Sequence, residues 1–126
     1  MRATQLLAPQ VSMALGWLAA QEEQLHRRLQ LMVARRALRA AYPRFAATHR
    51  ELCESLFDLH FIETRVAPLL VEARAQGRRL APATISAAWF ASCRAPGARA
   101  ERYALREVTA AAAELLALVE EERVAA

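Results

Sequence analysis

Two short stretches of the chain hold the residues best suited to chemistry. In QEEQLHRR, residues 21–28, Glu22 and His26 stand four apart, and in DLHFIE, residues 58–63, His60 and Glu63 stand three apart. On a helix, spacings of three and four place side chains on one face. Imidazole and carboxylate together suit a divalent transition metal such as zinc, iron or manganese, and helical bundles build metal sites from inward groups on facing helices. Glu22, His26, His60 and Glu63 are therefore the candidate metal ligands. A plainer reading competes with this one. Only Glu23 and His26 have the Glu-x-x-His spacing of di-iron bundles, and Glu22 and Glu63 serve equally well as ion-pair partners of Arg27, Arg28 or Arg65. No other cofactor is implied.

Other routes to catalysis have less support. The chain has no Gly-x-Ser-x-Gly elbow, no Ser/His/Asp order and, with three glycines, no phosphate-cradling loop. Cys53 lies one helical turn beyond His49, a spacing that lowers a thiol pKa when the ring faces the sulfur and otherwise describes a packed cysteine. Cys53 and Cys93 form no CxxC pair and read as free thiols of a cytoplasmic protein. On balance the sequence favours a non-catalytic role.

All 17 basic residues are arginine, and the net charge is +4. Arg35, Arg36, Arg39, Arg44 and Arg50 gather in one region, Arg74, Arg78 and Arg79 in another, and Arg94, Arg99, Arg102 and Arg106 in a third. The first group is the candidate nucleic-acid surface, because clustered guanidinium groups neutralise phosphates. The stretch LAPATISAAWF, a loop and then ARAERYALREV is spaced only loosely like a helix-turn-helix, since the intervening SCRAPG exceeds the usual turn. A GC-rich genome, which favours both arginine and alanine codons, explains the same composition without any phosphate.

The elements that must position these groups are helices. Thirty residues are alanine, there is no asparagine, and β-branched residues are few, a composition that favours helix and starves strands and turns. We expect one all-α domain over residues 1–126, resembling a four-helix bundle. Val11, Leu15, Leu18, Leu25, Leu29 and Met32 recur at four-three spacing with Glu22 and Arg36 in the same row. This predicts one long amphipathic helix ending near Ala41, before Tyr42–Pro43. Phe45, His49, Leu52, Leu56, Leu59, Glu63, Val66 and Leu70 repeat the pattern, predicting a second long helix with a Thr48/Glu51 capping box, a kink near Pro68 and a stop at Gly77. Joined near residues 42–46, the two would form an antiparallel hairpin that brings the Glu/His pairs to one height. A short helix from Pro82 to about Ser92 carries Ile85 and Trp89 on one face. A last helix, from about Arg99 to Arg123, turns Ala104, Val108, Ala111, Leu115 and Leu118 inward.

The apolar N-terminal run LLAPQVSMALGWLAA is interrupted by polar residues and reads as mature protein. No stretch has the roughly 18–20 apolar residues of a membrane span. Phe57, Phe61 and Ile62 fall off the row facing the first helix, so a second apolar face needs covering, by the last helices or by another subunit. The resulting expectation is a cytoplasmic helical interaction or regulatory module that forms a homodimer. The alternatives are a nucleic-acid-associated factor and a metal-binding bundle.

Overall fold

The computed structural model describes the backbone of residues 2–93 and 102–125 and the side chains of residues 10–93 and 102–125. It is all-α. In chain order the elements are α1 (Arg2–Thr48), α2 (Arg50–Glu54), α3 (Leu59–Phe61), a π-helical turn (Ile62–Val66), α4 (Ala67–Ala75), α5 (Pro82–Ser92) and α6 (Leu105–Ala125). The chain divides into two units, Met1–Gln30 and Leu31–Ala126. The first lies within α1, and every described side chain from residue 10 to residue 29 is exposed. Among the described residues, all the buried ones lie between Ala34 and Val119, in the second unit.

The helix predicted to end near Ala41 continues through Pro43 to Thr48. An interior proline costs about 3 kcal/mol in a helix, but Pro43 itself is exposed while Ala41 and Phe45 are fully buried on the opposite side. Keeping the helix intact buries Phe45, a side chain worth about 1.5–3 kcal/mol, and sets Tyr42 and Ala46 against the core. Burial thus offsets the proline. The inward row of this part of α1 is Ala34, Leu38, Ala41 and Phe45, not a continuation of the row through Met32 and Arg36.

His49, at φ −126° and ψ 44°, interrupts the helix. The predicted capping box is not made: the Thr48 hydroxyl donates to the Phe45 carbonyl at 3.1 Å, and α2 has no side-chain cap. The predicted second long helix is also broken where the sequence shows no glycine or proline. After α2, Leu56 adopts φ 76°, and the Phe57 N–H donates back to the Leu52 carbonyl at 3.2 Å. This is a Schellman-type reversal with leucine in the place usually taken by glycine. Asp58 then caps α3, its carboxylate accepting from the Phe61 N–H at 3.0 Å. The reversal turns Phe57 fully inward and leaves Leu56 59% exposed.

Pro68 does alter the helix that contains it. In α geometry its ring would press on the Thr64 carbonyl, and it has no N–H to donate. The turn before it is widened instead: the Ala67 N–H donates to Ile62, five residues back, which is π geometry. α4 ends as predicted at Gly77. There the Gly77 N–H donates to Arg74, the Arg78 N–H to Ala73, and Gly77 sits at φ +67°, a full Schellman motif.

A chain of rings runs through the core. Phe45 and Phe57 lie 5.5 Å apart between centroids, Phe57 and Phe61 4.9 Å, Phe57 and Trp89 6.1 Å, and Trp89 and Tyr103 5.8 Å. It ties α1, the 55–58 reversal and α5 to the segment before α6. Phe57, Phe61 and Ile62 are therefore covered within the chain. α5 packs on α6 through Ser86, whose hydroxyl lies 2.9 Å from that of Thr109, with Ala111 and Ala112 buried on the α6 side. Small residues let the two backbones approach. α6 begins at Leu105 rather than Arg99, which lies outside the described residues, and its inward row is Val108, Ala111, Ala112, Leu115 and Val119. Ala104 is exposed, and Leu118 is half-buried.

Candidate functional site

The hairpin height that linked the Glu/His pairs assumed a turn at residues 42–46, whereas the chain reverses over residues 49–58. Glu63 consequently lies against Arg39: its carboxylate accepts from the guanidinium at 2.6 and 2.7 Å, and its backbone carbonyl accepts from Arg35 at 3.3 Å. The ion-pair reading of Glu63 is the observed one, with Arg39 in place of Arg65. His60 is exposed on α3. In the first unit, Glu22 is exposed, and a His26 ring nitrogen lies 3.1 Å from the side-chain amide of Gln30. Among the described residues, no group of three or more His, Cys, Asp or Glu stands together as a metal cluster.

The first arginine group is partly engaged in such contacts. Arg35 and Arg39 hold Glu63, and Arg44 pairs with Glu121 of α6 at 2.8 Å. Arg36 and Arg50 are exposed without an ion pair among the described residues. His49 points toward Glu114 at 2.5 Å and does not serve as a base for Cys53. The thiol is buried, and its pKa is raised by that burial; a hydrogen bond with Tyr42 acts in the opposite sense. A thiol held protonated is a packing group. Arg102 precedes α6, so the helix-turn-helix reading loses part of its second helix.

Two features that could recognise a partner remain. The first is the four-three row of α1. Val11 is 56% exposed, Leu15 62%, Leu18 51%, Leu25 58%, Leu29 48% and Met32 52%. In heptad terms Val11, Leu18, Leu25 and Met32 occupy one seam position, and Leu15, Glu22, Leu29 and Arg36 the other. A helix draws most of its stability in a protein from burying such a face, and among the described residues this one stays about half or more exposed.

The second feature is a cleft of about 560 Å³ in the second unit, between α4 with its C-terminal turn and α6. Leu70, Leu80, Leu116 and Val119 contribute its apolar lining, and Arg74, Arg78, Arg79 and Arg123 its polar rim. The Schellman turn at Gly77 places Arg78 and Arg79 here by ending α4 and reversing the chain. One carboxylate stands among the guanidinium groups: Glu120 accepts from Arg123 at 2.6 Å. That hydrogen bond holds the Glu120 carboxyl below the usual carboxylate range, with further help from the charges of Arg74 and Arg79. The sequence shows the cluster at residues 74–79, but nothing in it shows that Arg123, on another helix, completes the rim.

No family model matches this chain, and comparison with curated proteins and with solved structures found no match. No helix among the described residues is long and apolar enough to cross a membrane.

Proposed function

We propose that the protein is a non-catalytic helical interaction module that self-associates through α1, pairing the row from Val11 to Met32 with its counterpart in a second copy. The observation that carries this is the exposure of that row, six apolar side chains each about half or more open to solvent on a continuous helix. A second copy offers an apolar row of the same spacing, and seams of this spacing close by knobs-into-holes packing.

The charges in the seam favour an antiparallel pair. In a parallel, in-register pair each seam residue faces its own copy, so Glu22 would face Glu22 and Arg36 would face Arg36. Like charges brought together away from water are costly. In an antiparallel pair the two seam positions face each other. The register that overlaps the whole row sets Leu15 against Met32 of the partner subunit and Leu18 against Leu29 of the partner subunit. Glu22 then lies beside Leu25 of the partner subunit, and Arg36 falls at the end of the row, where its long side chain reaches water.

Sedimentation equilibrium of the full chain should give twice the 14.0 kDa chain mass, and Leu18→Glu combined with Leu25→Glu should return it to a monomer of unchanged helicity. A wild-type monomer at about 100 μM, weaker than the micromolar association expected of a specific pair, refutes the reading. Orientation is read separately. In a chain with Cys53→Ser and Cys93→Ser, spin labels at Met13→Cys, on the outer face of the helix, should lie roughly 30 Å apart. That figure is the helical rise between Met13 and the level of Ala34. A separation under about 20 Å, close to the interaxial distance plus the labels, means a parallel pair.

A further inference from the structure

The cleft between α4 and α6 is independent of the α1 seam and has its own chemistry. Among the described residues four arginines line it against a single carboxylate, and Arg74, Arg78 and Arg79 have no ion-pair partner there. Like charges repel when gathered at a cleft, so an uncompensated set favours an anion of more than one charge. Guanidinium is the group best shaped for this, because its planar fork donates two parallel hydrogen bonds to phosphate oxygens.

The cleft also has an apolar floor, and its volume of about 560 Å³ falls within the range of small-molecule pockets, about 300–1,000 Å³. A nucleic-acid backbone would meet the rim but has no use for the leucines. Among the described residues no aromatic ring lines the cleft, so they offer no stacking platform of the kind on which single-stranded bases are held. We propose that this cleft binds a small organic phosphate, with Arg74, Arg79 and Arg123 taking the phosphate and Leu80 and Leu116 taking an apolar body. Glu120 competes for Arg123 and tempers the affinity.

The test is calorimetric titration of the full chain with hexyl phosphate, below micelle formation and at low salt. Hexyl glucoside, inorganic phosphate and a mixed-sequence DNA duplex are run alongside. Hexyl phosphate should bind about tenfold or more tightly than inorganic phosphate, since each buried methylene adds about 0.8 kcal/mol, and hexyl glucoside should not bind. Arg74→Ala and Arg79→Ala should each weaken binding about tenfold, as expected for a charge-assisted hydrogen bond. Arg50→Ala, outside the cleft, should leave it unchanged. Glu120→Gln should strengthen binding severalfold by releasing Arg123. Circular dichroism checks that each variant stays folded, which these exposed side chains allow. Failure of hexyl phosphate to bind, indifference to Arg74→Ala and Arg79→Ala, or weaker binding by Glu120→Gln each overturns the assignment. Duplex binding without hexyl phosphate binding overturns it in favour of a nucleic-acid surface.

Discussion

The sharpest consequence of the α1 seam concerns its one acidic residue. If the row from Val11 to Met32 closes on a second copy, replacing Glu22 with leucine should tighten the dimer. The magnitude follows from the neighbours: Leu18, Leu25 and Leu29 each expose about half of their surface in the single chain, so a leucine at position 22 would have about half a side chain left to bury. With full burial of a leucine worth about 1.5–3 kcal/mol, that half is worth about 1 kcal/mol. Relieving the incomplete solvation of a carboxylate in the seam adds about 1–3 kcal/mol. The substitution occurs twice per dimer, so the gain is about 4 kcal/mol or more, near 10³-fold in dissociation constant. Sedimentation equilibrium over a dilution series measures this directly. Glu22→Gln, which removes the charge but adds no apolar area, should fall between wild type and Glu22→Leu. If Glu22→Leu leaves the dissociation constant unchanged while helicity is preserved, residue 22 does not lie in the interface and the seam assignment fails.

Three further predictions concern the second unit. Leu56 holds a left-handed conformation that costs a non-glycine residue about 1–2 kcal/mol, and its side chain is mostly exposed. Leu56→Gly should therefore raise unfolding free energy by up to about 1 kcal/mol in urea titration, and a loss would show that the leucine side chain contributes packing that outweighs the strain. Burial raises the pKa of both Cys53 and Tyr42, so the folded state keeps these protons longer than the unfolded chain does. Their stabilising contribution is complete below the unfolded thiol value, near 8.5, and is lost as pH rises through the folded values. Unfolding free energy should thus fall on the alkaline side, less steeply in Cys53→Ala. At neutral pH a thiol reagent should modify half-buried Cys93 well before Cys53, and equal rates would contradict the burial of Cys53.

Where local chemistry and packing agree, the structure can be read from the sequence. Pro82 followed by Ile85 and Trp89 predicts α5 and its buried face, and Gly77 predicts the end of α4, because a missing N–H and a left-handed residue act locally. Where they disagree, local signals mislead. Pro43 argues for a stop, yet Phe45 and Ala41 are buried only if the helix continues. Residues 54–58, ESLFD, contain no glycine or proline, yet the chain reverses there because that is how Phe57 reaches Phe45 and Trp89. A long helix through this point would have kept Leu56 and Leu59 on the predicted row and left the phenylalanines uncovered.

The same conflict bears on function. α1 carries two apolar rows, one of leucines running from Val11 and one of mostly small residues through Ala34, Leu38 and Ala41. Hydrophobic periodicity weighs leucine heavily and alanine lightly, so it selects the row that the chain leaves exposed and passes over the row that builds the core. The sequence pattern predicts that row as the face of an intramolecular hairpin, whereas the structure leaves it about half or more exposed. Phe57, Phe61 and Ile62 are buried in the core, whereas the row of α1 through which we propose self-association is about half or more exposed. The arginine rim depends on tertiary structure in a similar way. Arg74, Arg78 and Arg79 are neighbours in sequence, but a solvated cluster becomes the rim of a cationic cleft only because α6 brings Leu116 and Arg123 across from it.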